Sequence, residues 1–393
     1  MAAEAATVEA AMEGTAMARN NPRIFRVCPL VSALALVLSG GSGALAGDLN
    51  SQPKSVPGGP LELASGPLQF VNNQIDRKAV LDDLGRVRQS FAFRTAGLAY
   101  DIKVSFQASS NGETNYDGAW TMEEIFAPNQ GLRWTAHGPS GYSITRISSQ
   151  RGTFQEGGES VIPLRLQEVR GILFDPIQSP SYANRGTIRR VSSRFRGAAV
   201  TCVLLSGSNR QSHAASGRDW DETEECFDPV TALLQVHSEV PGRYVVYDYS
   251  DTPRLGGLAL PKTVTVSEGG RVVTTISVDS VELLASSDPG LFGPTNAMEA
   301  RGTATAIGTA TKMVRVTGDA PVTPGVALNP ICVFGVLSPA GRLVETHSLQ
   351  PGDPNSQAAV ADAQSINFSP GIAAGAGPQQ HFVFVIEEFP ASQ

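Results

Sequence analysis

Residues 100–107 read Tyr100-Asp101-Ile102-Lys103-Val104-Ser105-Phe106-Gln107, and their alternation sets the fold class. Ile102, Val104 and Phe106 alternate with Asp101, Lys103, Ser105 and Gln107, a strict period of two. One face is apolar and the other wet, the mark of a half-buried antiparallel sheet. Working outward, residues 119–126 continue the pattern, then Leu132, Trp134 and Ala136, then Tyr142, Ile144 and Ile147. The gaps carry turn residues: Asn111-Gly112, Asp117-Gly118, Pro128-Asn129-Gln130-Gly131 and Pro139-Ser140-Gly141. Upstream, Ile75, Val80, Leu81, Leu84, Val87 and Phe91 recur at helical spacing. Downstream, Leu164, Leu166, Val169 and Leu173 predict a second helix over residues 163–174. Further strands are expected at 200–205, 233–237, 244–249, 263–267 and 272–278. The chain therefore reads as α+β, mostly antiparallel β, with helices covering one face of a curved sheet.

Composition agrees. The 393 residues include 40 Gly and 26 Pro, with only 7% aromatic and 17% charged residues. That suits a turn-rich β protein with room for two cores. The net charge of −7 argues against nucleic acid as a partner, because phosphate backbones repel it. The basic stretch Arg185, Arg189, Arg190, Arg194 and Arg196 reads as a solvated strand-turn face.

Residues 1–46 have the order of an export signal. Arg19, Arg23 and Arg26 precede the apolar run 27–38, and Ala44-Leu45-Ala46 fits a small-x-small cleavage site before Gly47. The expected location is the periplasm. The alternative is an uncleaved inner-membrane anchor over residues 27–46, a stretch long enough to span. An oxidising compartment permits a disulfide, and Cys202 and Cys226 both border strand-like runs of one domain. Two free buried thiols are the other reading of that pair. Cys332 lies in Ile331-Cys332-Val333-Phe334 and reads as a small buried hydrophobe.

The domains follow: signal peptide 1–46, linker 47–70 rich in Pro and Gly, β domain 71–295, linker and first strand 296–325 with Met313-Val314-Arg315-Val316, and a terminal module 326–393. In that module residues 330–337, the turn Ser338-Pro339-Ala340-Gly341 and residues 342–346 form a hairpin. An Ala-rich helix follows over 355–366, and a last strand over 381–389.

The order of elements in 71–295 resembles the periplasmic lipoprotein carriers of the LolA and LppX type. The residues that carry the likeness are Gly118-Ala119-Trp120, Leu132-Arg133-Trp134, Pro163-Leu164-Arg165-Leu166, Cys226-Phe227-Asp228-Pro229, Leu258-Ala259-Leu260-Pro261 and Asp288-Pro289-Gly290-Leu291-Phe292. The resemblance implies an incomplete barrel whose apolar side, under helices, holds an acyl chain or lipid. Ile102, Val104, Phe106, Trp120 and Trp134 would line that groove; the plain alternative is that they fill a core. The terminal module resembles the TonB C-terminal domain, through residues 338–344, Asn367-Phe368-Ser369-Pro370 and Phe382-Val383-Phe384-Val385-Ile386. That implies a small ββαβ fold and an envelope protein partner added along the last strand, with Phe382, Phe384 and Ile386 on the partner face. The plain alternative is a last strand that is core on both faces.

No catalytic or metal constellation stands out in the sequence, and no cofactor is expected. His137, His213, His237, His347 and His381 show no metal-ligand spacing. The acidic run Asp219, Asp221, Glu222, Glu224 and Glu225 lacks the central glycine of a calcium loop and reads as a solvated turn. The expectation is a non-enzymatic exported binding or adapter protein. The alternatives are a TonB-type energy transducer on an uncleaved anchor, and a periplasmic enzyme.

Overall fold

The computed structural model describes residues 69–390, apart from 72, 95, 111–115, 159–161, 178–185, 207–217, 219, 221, 253, 256–257, 286, 302–311, 318–327, 339 and 369–380. The export segment, its cleavage point, the anchor alternative and most of the 47–70 linker lie outside the described residues, as does His213. The chain opens with a short strand β1 (Gln69–Phe70) and helix α1 (Gln74–Gln89). Asn73 caps α1 by accepting a hydrogen bond from the Asp76 amide at 2.8 Å. Val80, Leu84 and Val87, one helical stripe, are its buried residues. Ile75 lies off that stripe and is 82% exposed, contrary to the apolar face expected of it.

The first meander is β2 (Tyr100–Ala108), β3 (Gly118–Ala127), β4 (Gly131–His137), β5 (Ser143–Ser149) and β6 (Gly152–Gly157). Helix α2 (Leu164–Phe174) follows. The second meander is β7 (Thr187–Phe195), β8 (Ala198–Ser206), β9 (Glu222–Phe227), β10 (Leu234–Val240) and β11 (Arg243–Asp248). A small pair, β12 (Arg254–Leu255) and β13 (Leu258–Ala259), leads to β14 (Thr263–Glu268) and β15 (Arg271–Leu283). Strand β15 runs antiparallel to β2 and joins the two meanders into one sheet of 14 strands. The sheet does not close into a barrel; its ends are β1 and β16 (Glu299–Arg301). Because β16 pairs with β6, the large sheet extends past residue 295.

The period of two in β2 is realised directly. Tyr100, Ile102, Val104, Phe106 and Ala108 are buried, and the residues between them are not. Their partners across the β2–β3 ladder include Trp120 opposite Phe106 and Met122 opposite Val104. These side chains meet Val80, Leu84 and Val87 of α1 and Leu166, Val169 and Leu173 of α2 in the main core. The helix-covered face is called the inner face below. On the opposite face, Val200, Cys202, Leu204, Cys226, Val236, Tyr244 and Val246 form a separate apolar layer.

The terminal sheet contains β17 (Lys312–Thr317), β18 (Leu328–Leu337), β19 (Leu343–Ser348) and β20 (His381–Pro390), with α3 (Ser356–Ser365) before the last strand. Its order is β17-β20-β18-β19. The expected ββαβ run is present, but the last strand is not an edge. It pairs antiparallel with β18 and parallel with β17, so both its backbone rows are engaged. The strand-addition surface expected at β20 is thereby corrected: a preceding segment of the same chain fills the edge that a partner would need.

Candidate functional site

The inner face places all five expected groove residues in one wall. Ile102, Val104, Phe106, Trp120 and Trp134 are each 4% exposed or less. Phe106 and Trp120 stack with ring centres 5.6 Å apart. They pack against the two helices as a filled core, which is the plainer of the two readings of these residues. One open depression of about 600 Å³ lies at Phe106, Trp120 and Ile276 together with Ser105, Gln107, Thr121, His137, Thr275 and Ser277, so it draws on two of the five expected residues.

Polar groups interrupt this wall where the alternation calls for apolar ones. Glu124 has the inward parity of Trp120 and Met122 and is fully buried. Arg94 reaches it at 2.6 Å, Arg170 at 3.0 Å and the Tyr100 hydroxyl donates to it at 2.9 Å. Burial alone would raise the Glu124 pKa; the two guanidinium groups outweigh it and hold the carboxyl below its usual range. The Arg170 guanidinium lies 4.4 Å from the Trp134 ring centre, a cation–π contact worth roughly 2 kcal/mol when desolvated.

A second polar lattice lies between the two sheets. From α2, Arg165 donates to Glu268 at 2.8 and 3.0 Å and to Glu168 at 2.9 Å. Arg243, at the start of β11, meets Glu268 at 3.0 Å, Glu239 at 2.7 Å, and Glu168. From β19 of the terminal sheet, Glu345 lies 3.5 Å from Arg165 and His347 Nε2 lies 2.8 Å from Glu268. The cations also rest on aromatic faces: Arg165 is 5.4 Å from the Phe334 ring centre, and Arg243 is 5.1 Å from that of Phe382. Burial raises the Glu168 pKa even against Arg243 and Arg165. At Glu268 burial is outweighed by Arg165 and then His347, so this carboxyl stays well below its usual range. Glu268, Glu345 and His347 are close enough together to hold a metal, but Arg165 already engages both carboxylates, so the group is an ion-pair lattice.

Around the lattice lies an apolar seam. Phe382, Phe384 and Ile386 are fully buried with Cys332, Phe334 and Val336 against Leu164, Trp220, Val240 and Leu349. The three residues expected on a partner face thus face the large domain of their own chain. The other face of β20, Val383 and Val385, packs on Ala359 and Ala363 of α3. Two glycines allow the close approach. Gly242 (φ +89°) and Gly269 (φ +57°) turn the β10–β11 and β14–β15 hairpins, and a Cβ on either would come within 2.9 Å of Leu349 or 2.8 Å of the Ser348 carbonyl.

The cysteine reading resolves in favour of the bridge. Cys202 and Cys226 are directly opposed on β8 and β9, with Cα atoms 4.0 Å apart, and are disulfide-bonded. Burial pushes the Cys332 thiol up. Of the acidic run, Asp219 and Asp221 lie outside the described residues, while Glu222, Glu224 and Glu225 are not in a solvated turn but buried on β9. They pair with Arg189, Arg218 and His237 respectively. For His237 burial favours the neutral ring, but Glu225 and Glu239 outweigh it and push its pKa up to about 10. The basic stretch is likewise split, with Arg189 buried at 6% exposure and Arg194 on the solvent side of β7. The sequence signal was a charge at inward parity in a strand at Glu124 and Glu225; Glu222 and Glu224 share the parity of Leu204 on the opposite face.

No family model and no curated protein matches the sequence. Several solved structures are similar to it. A LolA superfamily protein, NE2245 of Nitrosomonas europaea, shares 10% identity at a TM-score of 0.34 over 54% of this chain and 97% of its own. A putative outer membrane lipoprotein-sorting protein domain of Vibrio parahaemolyticus shares 8% at 0.33 over 55% and 97%. MucB of Pseudomonas aeruginosa, in its complex with MucA, shares 13% at 0.27 over 68% and 82%. At these scores the likeness is one of outline, and the statements of fold here stand on the sheet order itself.

Proposed function

We propose that this chain is an exported, non-enzymatic binding and adapter protein of the bacterial envelope, with an amphiphile as ligand and the terminal sheet as the part that registers loading. One observation carries this reading: α2 belongs to both halves. Leu166, Val169 and Leu173 lie on the inner face, while Leu164 and Arg165 of the same helix belong to the seam. An acyl chain inserted between α2 and the wall at Ile102, Val104 and Trp134 would move the helix, and with it the Arg165 end of the lattice. The resemblance to lipoprotein carriers read in residues 71–295 supports the choice of ligand. A TonB-type transducer is disfavoured, because it offers its closing strand to a partner and β20 is taken on both sides.

The test is native mass spectrometry of protein secreted to a bacterial periplasm. The expected result is a lipid-sized adduct that is lost on detergent washing and regained from dispersed phospholipid. Protein that carries no adduct and takes none up would overturn the proposal.

A further inference from the structure

The inner face is polar at its β16 end. Across β3, β4, β5, β6 and β16 one row of facing side chains reads Glu124, Trp134, Arg146, Gln155 and Glu299. The next row contains Ser148, Thr153 and Arg301. Most of these groups have partners. Glu124 is held by Arg94 and Arg170, Arg301 meets Glu299 at 3.0 Å, Gln155 donates to the Gly157 carbonyl at 3.0 Å, and Ser148 and Thr153 share a hydrogen bond of 3.3 Å. Arg146 is the exception. It is only 8% exposed, yet among the described residues no hydrogen bond or ion pair reaches its guanidinium. Burial, and then the like charge of Arg301, depress its pKa, and Arg146 in turn opposes the charge of Arg170. Four arginines, Arg94, Arg146, Arg170 and Arg301, are balanced by two carboxylates, Glu124 and Glu299. A guanidinium held at the margin of the wall without a carboxylate beside it is open to an anion from solvent.

We propose that this cationic corner binds a phosphate group, with Arg146 as the principal ligand and Arg301 at the solvent side. The inference deepens the amphiphile reading, on which it rests for the source of the phosphate: a lipid head group lying beside the wall that would take the chain. The guanidinium fork offers paired N–H donors matched to two phosphate oxygens, and Ser148 and Thr153 hydroxyls flank the place. Binding would supply the missing counter-charge without disturbing the Glu124 pairs.

The experiment uses the whole folded protein and three probes: inorganic phosphate, dodecyl phosphate and dodecyl maltoside, followed by calorimetry and by tryptophan fluorescence. Dodecyl phosphate should bind about tenfold or more tightly than dodecyl maltoside, the scale of a charged hydrogen-bonded contact. Arg146→Gln should abolish that preference, and Arg301→Gln should weaken it. Since Arg146→Gln removes a charge that opposes Arg170 and Arg301, its melting temperature without ligand should be unchanged or higher, whereas a purely structural arginine would lower it. Equal binding of both amphiphiles, unaltered by Arg146→Gln, would overturn the phosphate site and leave the amphiphile reading standing. Binding of inorganic phosphate that depends on Arg146, with neither amphiphile bound, would uphold the site and remove the lipid. Loss of all three would end both.

Discussion

Replacing Arg243 by Met tests the seam at its centre. Arg243 is 1% exposed and has three carboxylate partners, Glu168, Glu239 and Glu268. Methionine keeps an apolar stem against Phe334 and Phe382, so the change removes charge more than volume. After it, Glu168 and Glu268 keep Arg165, and Glu239 keeps only His237. Breaking a buried pair by removing one partner costs about 3–5 kcal/mol, and three partners place this variant in the upper half of that range. The cost should shrink at acid pH, because burial already raises the Glu168 carboxyl against two guanidinium groups and losing one of them eases its protonation. Urea unfolding followed by tryptophan fluorescence reads it, since Trp220 is buried in the seam. A loss below about 1 kcal/mol near neutral pH, the range of exposed ion pairs, would refute the account of the seam as a desolvated lattice. So would a loss that is the same at both pH values.

Two further outcomes follow from the buried groups. In protein lacking residues 1–46, alkylation should leave Cys332 unmodified in the fold, modify it alone in urea, and reach Cys202 and Cys226 only after reduction; replacing both bridged cysteines by Ser should cost about 3 kcal/mol. His237 holds its proton in the folded state up to about pH 10, whereas the unfolded chain releases it near pH 6.5. Its contribution is therefore fully present below the unfolded pKa and is lost as pH rises through the folded one. Urea midpoints measured across that window should fall with pH, and His237→Gln should flatten the profile; an unchanged slope would count against the Glu225–His237–Glu239 chain.

The strands were legible where burial is one-sided. In β2 each inward position is apolar and each outward one polar, so Ile102, Val104 and Phe106 could be placed on one wall from the letters alone. The helices were legible as helices, but the surroundings of α2 were not. Arg165, Glu168 and Arg170 look like a solvated face, yet all three are buried, because their partners come from β3, β11, β14 and β19. Periodicity records hydrophobicity and is blind to charges neutralised by distant residues. The same blindness made the Glu222, Glu224 and Glu225 run look like a turn. At β20 the element was legible and its neighbours were not. Strand order depends on which edge β17 fills, and a six-residue strand after a Thr- and Ala-rich connection carries no mark of its pairing.

The place of β20 also bears on how the chain matures. A parallel partner cannot be reached by a tight turn, so β17 has no strand to pair with until the chain has passed through β18, β19 and α3. The sheet closes only when the final strand arrives, and only then are Phe334, Val336 and Cys332 covered together with Phe382, Phe384 and Ile386. Until that moment the chain presents a large domain with an apolar side and carboxylates awaiting desolvation. A nick or a premature stop ahead of residue 381 would leave the same surface open for good, a flag that proteolytic quality control recognises by its hydrophobicity. Damage at the carboxyl end is thus reported from the middle of the molecule.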